Sequence, residues 1–146
     1  MADATATRAE LQAFFERYME TWKRRDPRAL ASFHAENGIV ESPMYQTRRG
    51  RKEIEDAYRA FLTSFPDQVH TVEAVVIDPP RLAAFSTINA THVNDFFGLP
   101  GTNKRIELRH SRLFTIDEDG LIGHERRIYD FTGVLIKVGV LKARPA

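Results

Sequence analysis

Charged side chains stand at alternate positions along two predicted strands that are joined by the turn 117–120. The first strand carries His110 and Arg112, and the second carries Glu125 and Arg127. Successive side chains of a strand point to opposite faces, so each of these pairs shares one face of its strand. A guanidinium presents its donors in a planar fork that suits anionic oxygens. We therefore expect Arg112 and Arg127 to hold an anionic or carbonyl-bearing small molecule, while His110 or Glu125 moves a proton.

The same residues allow a purely structural interpretation. Arg112, Glu125 and Arg127 can form an internal ion-pair network that fills the interior without catalysis, and His110 can be a structural histidine. If the site is catalytic, Glu125 should be ionised and weakly basic between two arginines. His110 is then the better proton shuttle on pKa grounds.

Composition limits the classes of function. The chain has 21 basic and 20 acidic side chains, a net charge of +1 and no long run of one sign, so we expect no nucleic acid or membrane surface as a partner. Cysteine is absent, and the five histidines show no H-x-x-x-H or H-x-H spacing, so neither a metal nor a cofactor is predicted. No apolar run is long enough to cross a membrane, and the first ten residues do not resemble a signal peptide. A cytoplasmic protein is therefore predicted.

A long first helix is predicted from the capping-box spacing of Thr7 and Glu10, followed by apolar residues at helical intervals. Tyr18 lies on that apolar stripe, where a core position and a catalytic position are both open. A third helix with a similar stripe is predicted to start near Arg51 and to stop at Pro66.

Between these helices, Asp26 and Pro27 predict the N-cap and first residue of a short second helix that runs to a turn at 37–38. This places His34 near the end of that helix as a cap or surface group. A brief strand is predicted over 38–41.

After Pro66 the pattern becomes β, with strands predicted over 69–78, 82–94, 105–116 and 121–129. His92 and His124 are expected on the outer face of the sheet, and His70 receives no role. Helices followed by a run of antiparallel strands indicate an α+β fold. We see no repeat or linker, so one domain is predicted over 1–146.

Asp130 follows the last strand and is expected to be the N-cap of a final helix. Because the turn alone does not fix the register of the two strands, a shift by one residue would instead bring Asp130 into the interior in place of Arg127.

Two segments resemble a known family. The segment 117–139, DEDGLIGHERRIYDFTGVLIKVG, is similar to the end of SnoaL-like polyketide cyclases, and 17–43, RYMETWKRRDPRALASFHAENGIVESP, is similar to ketosteroid isomerases. The resemblance implies the NTF2-like fold, a curved antiparallel sheet wrapped around N-terminal helices to form a cone with an internal pocket. It also implies a homodimer formed through the outer face of the sheet.

The resemblance implies that Arg112, Glu125 and Arg127 point into the pocket, and that Tyr18 occupies the place of the isomerase tyrosine. Three further residues are expected at the substrate pocket: Glu41, Phe114 and Tyr129. Strand alternation turns Glu41 to the other side unless its strand bulges.

The sequence departs from both families at the catalytic positions. Ser42 stands where the isomerase base is expected, and Arg112 replaces the proton-donating acid. Arg127 and Arg112 replace the aspartate and histidine of the cyclases. The sequence therefore predicts a cofactor-independent isomerase- or cyclase-type enzyme for a small hydrophobic oxygenated metabolite, without the family's own catalytic groups. The alternative is a non-catalytic ligand-binding or dimerisation module.

Overall fold

The computed structural model describes residues 6–142. The elements, in chain order, are α1 (Arg8–Lys23), α2 (Pro27–Ala31), β1 (His34–Ser42), β2 (Gln46–Arg49), α3 (Arg51–Ser64), β3 (Val69–Asp78), β4 (Arg81–Thr91), β5 (Arg105–Ile116), β6 (Ile122–Tyr129) and α4 (Phe131–Val138). The predicted α+β class is confirmed. No helix among the described residues combines the length and the apolar character needed to cross a bilayer.

The six strands form one curved sheet in the order β2-β1-β6-β5-β4-β3. All neighbouring strands are antiparallel except β1 and β6, which pair in parallel. This single parallel pair is the one departure from the predicted antiparallel sheet. It brings the strand that follows α2 next to the strand that carries Glu125 and Arg127.

Side-chain caps define the starts of three helices, as the sequence predicts. Thr7 accepts a hydrogen bond from the Glu10 backbone N–H at 3.2 Å, and Asp26 accepts one from the Ala29 N–H at 3.1 Å. Asp130 caps α4 by accepting from the Gly133 N–H at 2.9 Å. Each cap satisfies a backbone donor that would otherwise lack a partner in the first turn.

The region between α2 and α3 differs from the prediction. The second helix ends at Ala31, and residues 37–38 lie inside β1 rather than in a turn. The pairing of β1 with β6 is irregular between His34 and Ile39, and a Cβ on Gly38 would lie 3.0 Å from the carbonyl oxygens of Ala35 and Ile122. Gly38 thus permits a close backbone approach within an irregular strand. The sequence Asn37-Gly38 is also typical of a turn, which is why a turn was predicted here. The short strand β2 was missed because its residues are polar.

Strand β5 alternates as predicted, and Phe114 on its inner face packs against Phe15 and Tyr18 of α1. Its buried side chains are Ile106, Leu108, His110, Arg112, Phe114 and Ile116. Removing a large apolar side chain from water contributes about 1.5–3 kcal/mol, so these positions hold the strand against the helices.

The register between β5 and β6 pairs Arg112 with Arg127 and His110 with Tyr129. The predicted inward orientation of Glu125 and Arg127 is therefore confirmed. A bulge between Thr115 and Ile116 shifts the alternation, so that Ile122 is buried although it lies an odd number of residues from Glu125.

His92 is fully buried, and its predicted place on the outer face is wrong. Its Nδ1 lies 3.0 Å from the Thr102 hydroxyl, and its ring packs against Phe65 and Phe96. No local pattern indicates this burial, because the loop that covers His92 is irregular.

Candidate functional site

A small cavity lies between α1, α3 and the concave face of the sheet. Its lining residues are Trp22, Met44, Tyr45, Ala57, Tyr58, Phe61, Ile88, Leu108, His110, Arg112, Arg127 and Tyr129. One end of the cavity is therefore apolar and aromatic, while the other presents guanidinium, imidazole and phenol groups. The space in which the centre of a water molecule fits is only about 20 Å³. Because one water needs roughly 10–15 Å³ by this measure, only one or two waters fit fully inside, whereas the empty space including its solvent-open part is about 380 Å³.

Glu125 and Arg127 form a bidentate ion pair at the polar end. Arg127 Nε donates to Glu125 Oε2 at 2.5 Å, and Arg127 Nη2 donates to Oε1 at 3.2 Å. The Glu125 side chain is fully buried. Burial acts to raise the pKa of Glu125, but the attraction of Arg127 and Arg112 outweighs it and lowers that pKa to about 2. Glu125 is thus ionised and a weak base, as the sequence predicts.

Arg112 has no carboxylate within hydrogen-bond distance. Its Nε lies 3.8 Å from Glu125 Oε2, while its Nη1 donates to the Tyr18 hydroxyl at 2.6 Å and its Nε donates to His110 Nε2 at 3.2 Å. A guanidinium carries five N–H donors, so three of them are not used by these two bonds. The Arg112 side chain is only 4% exposed. Glu125 is the one carboxylate near both Arg112 and Arg127, so it compensates two positive charges. The ionised side chains at this end of the cavity therefore sum to one positive charge.

His110 is held as a neutral hydrogen-bond donor. Because its Nε2 accepts from Arg112, its proton lies on Nδ1. Burial, followed by the repulsion of Arg112, lowers the pKa of His110 to about 3. The neutral ring is a weak base, but its pKa stays above that of Glu125, so the role of His110 as the better proton shuttle of the two stays a prediction. His110 can instead donate a hydrogen bond to a ligand, because its Nδ1–H has no acceptor in the described part of the chain.

A chain of hydrogen bonds runs behind the cavity from Arg112 to His34. The Tyr18 and Tyr58 hydroxyls lie 2.7 Å apart, and the Tyr58 hydroxyl lies 2.6 Å from His34 Nε2. His34 is fully buried, so its predicted place as a cap or surface group is wrong. Burial, opposed by the attraction of Glu125, lowers the pKa of His34 to about 3. The chain links the guanidinium to a neutral imidazole through two phenols.

Tyr58 and His34 are the polar residues that sequence reasoning missed. Tyr58 carries a detectable signal, since it lies on the apolar stripe of α3 as Tyr18 does on α1, and a phenol on a buried stripe needs a partner. His34 carries no such signal, because only the early end of α2 turns it inward.

Two other predicted pocket residues lie close to the cavity. Tyr129 lines it, and its hydroxyl accepts a hydrogen bond from the Met44 backbone N–H at 3.1 Å. Phe114 packs edge-on against Tyr18 with ring centroids 5.5 Å apart, so both belong to the layer behind the cavity wall. The structure therefore brings all of the predicted site residues except Glu41 together, but Tyr18 reaches the cavity only through Arg112 and Tyr58.

Glu41 is not brought to the cavity. Its carboxylate lies 2.7 Å from His124 Nε2 and 3.6 Å from Arg126 Nε, both on the outer face of the sheet. The strand is regular at this point, so the alternation that turns Glu41 outward applies. Within residues 6–142, no three side chains of the kinds that bind metals lie together as a metal ion would require.

The chain belongs to the SnoaL-like polyketide cyclase family, whose model matches residues 12–137. The resemblance of segment 117–139 to SnoaL-like polyketide cyclases is thereby confirmed, and the match extends over most of the chain. No curated protein matches the sequence.

Solved structures confirm the NTF2-like, SnoaL-like fold. AclR from Streptomyces galilaeus shares 20% identity with a TM-score of 0.82, over 95% of this chain and 87% of that one. TsrD from Streptomyces laurentii shares 23% identity with a TM-score of 0.79, over 93% of this chain and 99% of that one. SalBIII shares 17% identity with a TM-score of 0.70, over 83% of this chain and 91% of that one. It is described as an epoxide hydrolase/cyclase-like enzyme with a role in pyran ring formation in the polyether salinomycin. At these identities the likeness concerns the fold.

Proposed function

We propose that this protein is a cofactor-independent enzyme of the isomerase or cyclase type, acting on a small hydrophobic molecule that carries neighbouring carbonyl oxygens. The observation that carries this proposal is the position of Arg112, a buried cation in the cavity wall with three N–H donors to spare and no carboxylate within hydrogen-bond distance. Membership of the SnoaL-like polyketide cyclase family supports the same class of reaction.

The chemistry of the site favours stabilisation of negative charge on oxygen. When a C–H bond next to a carbonyl loses its proton, the electron pair moves onto the carbonyl oxygen, and a preorganised cation lowers the energy of that oxyanion. In this cavity the cation is Arg112, kept in place by its bonds to Tyr18 and His110. Arg127 is engaged with Glu125 and supplies a second, partly neutralised positive charge.

The lack of a strong base restricts the substrate. Glu125 and His110 both have lowered pKa values, so neither removes a proton from an ordinary ketone efficiently. A carbon flanked by two carbonyl groups is acidic enough for water to accept its proton once the resulting enolate is stabilised. The proposed substrate is therefore a 1,3-dicarbonyl compound, whose enolate can shift its double bond or close a ring by attack on a second carbonyl of the same molecule.

Benzoylacetone tests this proposal, because its enolate is followed directly by ultraviolet absorption. The wild-type protein should bind it and shift enolate formation to lower pH, and Trp22, the single tryptophan, should report binding by its fluorescence. Arg112→Met should remove the shift, whereas Arg126→Met, an exposed position on the same sheet, should keep it. Butyrophenone, which has one carbonyl, should show no ionisation.

Two results would contradict the proposed role of Arg112. If the bound diketone ionises at the same pH as in buffer, or if Arg112→Met retains the shift, the enolate-stabilising role of Arg112 is wrong.

The second candidate function is a non-catalytic ligand-binding or dimerisation module. It is favoured by the small space inside the cavity and by the bidentate pair of Glu125 and Arg127, which fills the polar end with the protein's own groups. Under this alternative, the diketone either does not bind, or it binds and changes Trp22 fluorescence while its enolate forms at the same pH as in buffer.

The homodimer stays a proposal, supported by apolar side chains on the outer face of the sheet. Phe85 and Ile128 both pair with Ser111 in the strand register and are 44% and 61% exposed, and Leu113 lies beside them. An Ile128→Lys substitution should convert a dimer to a monomer in light scattering, while Lys at the exposed helix position Gln12 should not. A wild-type monomer at high concentration would contradict the proposal.

A further inference from the structure

Four side chains separate the cavity from a groove between α1 and β3. We call them the polar seam: Trp22, Gln68, His70 and His110. Trp22 lines both the cavity and the groove, while His110 lines the cavity and His70 lines the groove. The centroid of the His70 ring lies 4.4 Å from that of Trp22 and 5.9 Å from that of His110. The wall between the two spaces is therefore one layer of side chains thick.

The seam concentrates buried polar atoms that have no hydrogen-bond partner in the described part of the chain. These atoms are Trp22 Nε1, Gln68 Oε1, both ring nitrogens of His70 and Nδ1 of His110. They are five of the seven such side-chain atoms between residues 6 and 142. Each unpaired buried polar group costs about 1–3 kcal/mol, and native proteins satisfy nearly all of them. The concentration of these atoms at one wall indicates a site for a polar group that does not belong to the chain.

The donors and acceptors of the seam indicate the chemistry of that group. The indole Nε1 can only donate, and His110 Nδ1 carries a proton because Nε2 accepts from Arg112. Gln68 Oε1 can only accept, while its amide nitrogen donates to the Trp22 carbonyl at 3.3 Å. Two donors beside an acceptor suit a hydroxyl oxygen, such as that of an enol, which accepts from the donors and donates to Gln68 Oε1; a carboxylate has no proton to donate.

The groove provides the space that the cavity lacks. Measured in the same way as the 20 Å³ of the cavity, the groove offers about 380 Å³. Met19, Val69 and Val72 give it apolar walls, and Lys23 and Arg25 lie at its rim. A molecule that displaces the single layer of seam side chains can therefore continue from the cavity along an apolar surface.

We propose that the polar seam binds a second oxygen of an elongated, multiply oxygenated ligand whose first oxygen is held by Arg112. The remaining chain of the ligand lies in the groove between α1 and β3. This inference rests on the proposed function, because it uses the same cavity and extends the substrate class from a 1,3-dicarbonyl to a longer chain with further oxygens. Arg112 and the seam are coupled through His110, since the ring that bonds to the guanidinium also presents its Nδ1–H.

Two compounds of equal length separate this inference from the proposed function. The probes are 1-phenylhexane-1,3-dione and 1-phenylhexane-1,3,5-trione, which differ only in the third carbonyl, and their Kd values are measured by calorimetry. The wild type should bind the trione about tenfold more tightly, the gain of roughly one good hydrogen-bonded group. His70→Phe should abolish this preference while leaving the Kd of the dione unchanged.

Two further variants make the test decisive. Thr71→Val changes the neighbouring, exposed side chain of β3 and should keep the preference for the trione. Gln68→Leu removes the acceptor for the enol O–H of the third oxygen and should reduce the preference; it replaces His70→Phe if that variant does not fold.

The outcomes distinguish the two proposals. If the dione does not bind, the proposed function fails. If the dione binds through Arg112 but the trione binds no better, or if its advantage survives both seam variants, the seam holds only water and the inference is overturned.

Discussion

The Glu125 carboxylate receives two hydrogen bonds from the Arg127 guanidinium, two residues away on the same face of β6. It also lies 3.8 Å from Arg112 Nε, so a single buried anion compensates two buried cations. Desolvation makes such groups costly unless they are paired, and the loss of the shared anion would leave both guanidiniums without charge compensation. The stability of the cavity wall and the positive charge available to a ligand thus depend on the same residue.

Glu125→Gln should therefore destabilise the fold strongly. We expect a loss of about 3–5 kcal/mol in the free energy of unfolding, measured by urea denaturation, because two buried cations lose their counter-charge. The control is Glu107→Gln on the exposed face of the adjacent strand β5, which should change stability by about 0.5 kcal/mol or less. Equal urea midpoints for the two variants would contradict the shared role of Glu125.

Stability should fall as the pH drops below about 6.5. His34 and His110 have folded-state pKa values of about 3, below the ordinary value of 6.5, so the unfolded state binds more protons between these limits. The free energy of unfolding then decreases with falling pH by about 1.4 kcal/mol per pH unit for each histidine. Glu125, with its pKa lowered from 4.5 to about 2, adds a further loss as the pH falls below 4.5.

His34→Gln tests the histidine part of this pH dependence. The slope of the free energy of unfolding against pH, taken from urea midpoints between about pH 6 and 5, should decrease by the amount that corresponds to about one bound proton. Tyr58→Phe removes the partner of His34 without removing a group that titrates in this range. It should lower stability while keeping the slope. An unchanged slope in His34→Gln would show that His34 is protonated in the folded state.

The hydroxyls of Tyr18 and Tyr58 should be energetically coupled. Each Tyr→Phe substitution leaves a buried partner unsatisfied, on Arg112 in one case and on His34 in the other, which costs about 1–3 kcal/mol. Because the two hydroxyls are bonded to each other at 2.7 Å, the double variant should cost less than the sum of the single ones. A coupling energy of about 0.5 kcal/mol or more is expected from a double-mutant cycle. Strict additivity would contradict a connected chain.

Tyr129→Phe should loosen the turn between β1 and β2 at the cavity. The Met44 N–H, which donates to the Tyr129 hydroxyl, should exchange with solvent faster in the variant. The neighbouring Tyr45 N–H donates to Ser42 Oγ at 2.9 Å and should keep its protection, which makes it an internal control. Faster exchange at both amides would indicate general unfolding of the turn rather than the loss of one bond.

The sequence by itself determined the helices and the long strands. Local signals sufficed there, because Thr7, Asp26 and Asp130 cap helices through contacts three residues away, and strand alternation assigns Arg112 to the inner face of β5. Such contacts depend on the chain near each residue and can be read from spacing. The resemblance to SnoaL-like cyclases supplied the register that brought Glu125 and Arg127 to the same interior.

Only the tertiary structure decided the places of His34, His70 and His92, and the neutral state of His110. His34 turns inward because α2 ends early and β1 pairs with β6, and His70 meets Trp22 because the edge strand β3 packs against α1. These contacts join residues that lie far apart in the sequence, so no local spacing encodes them. The burial of an ionisable group and the charges around it, which set its pKa, arise from the same distant packing.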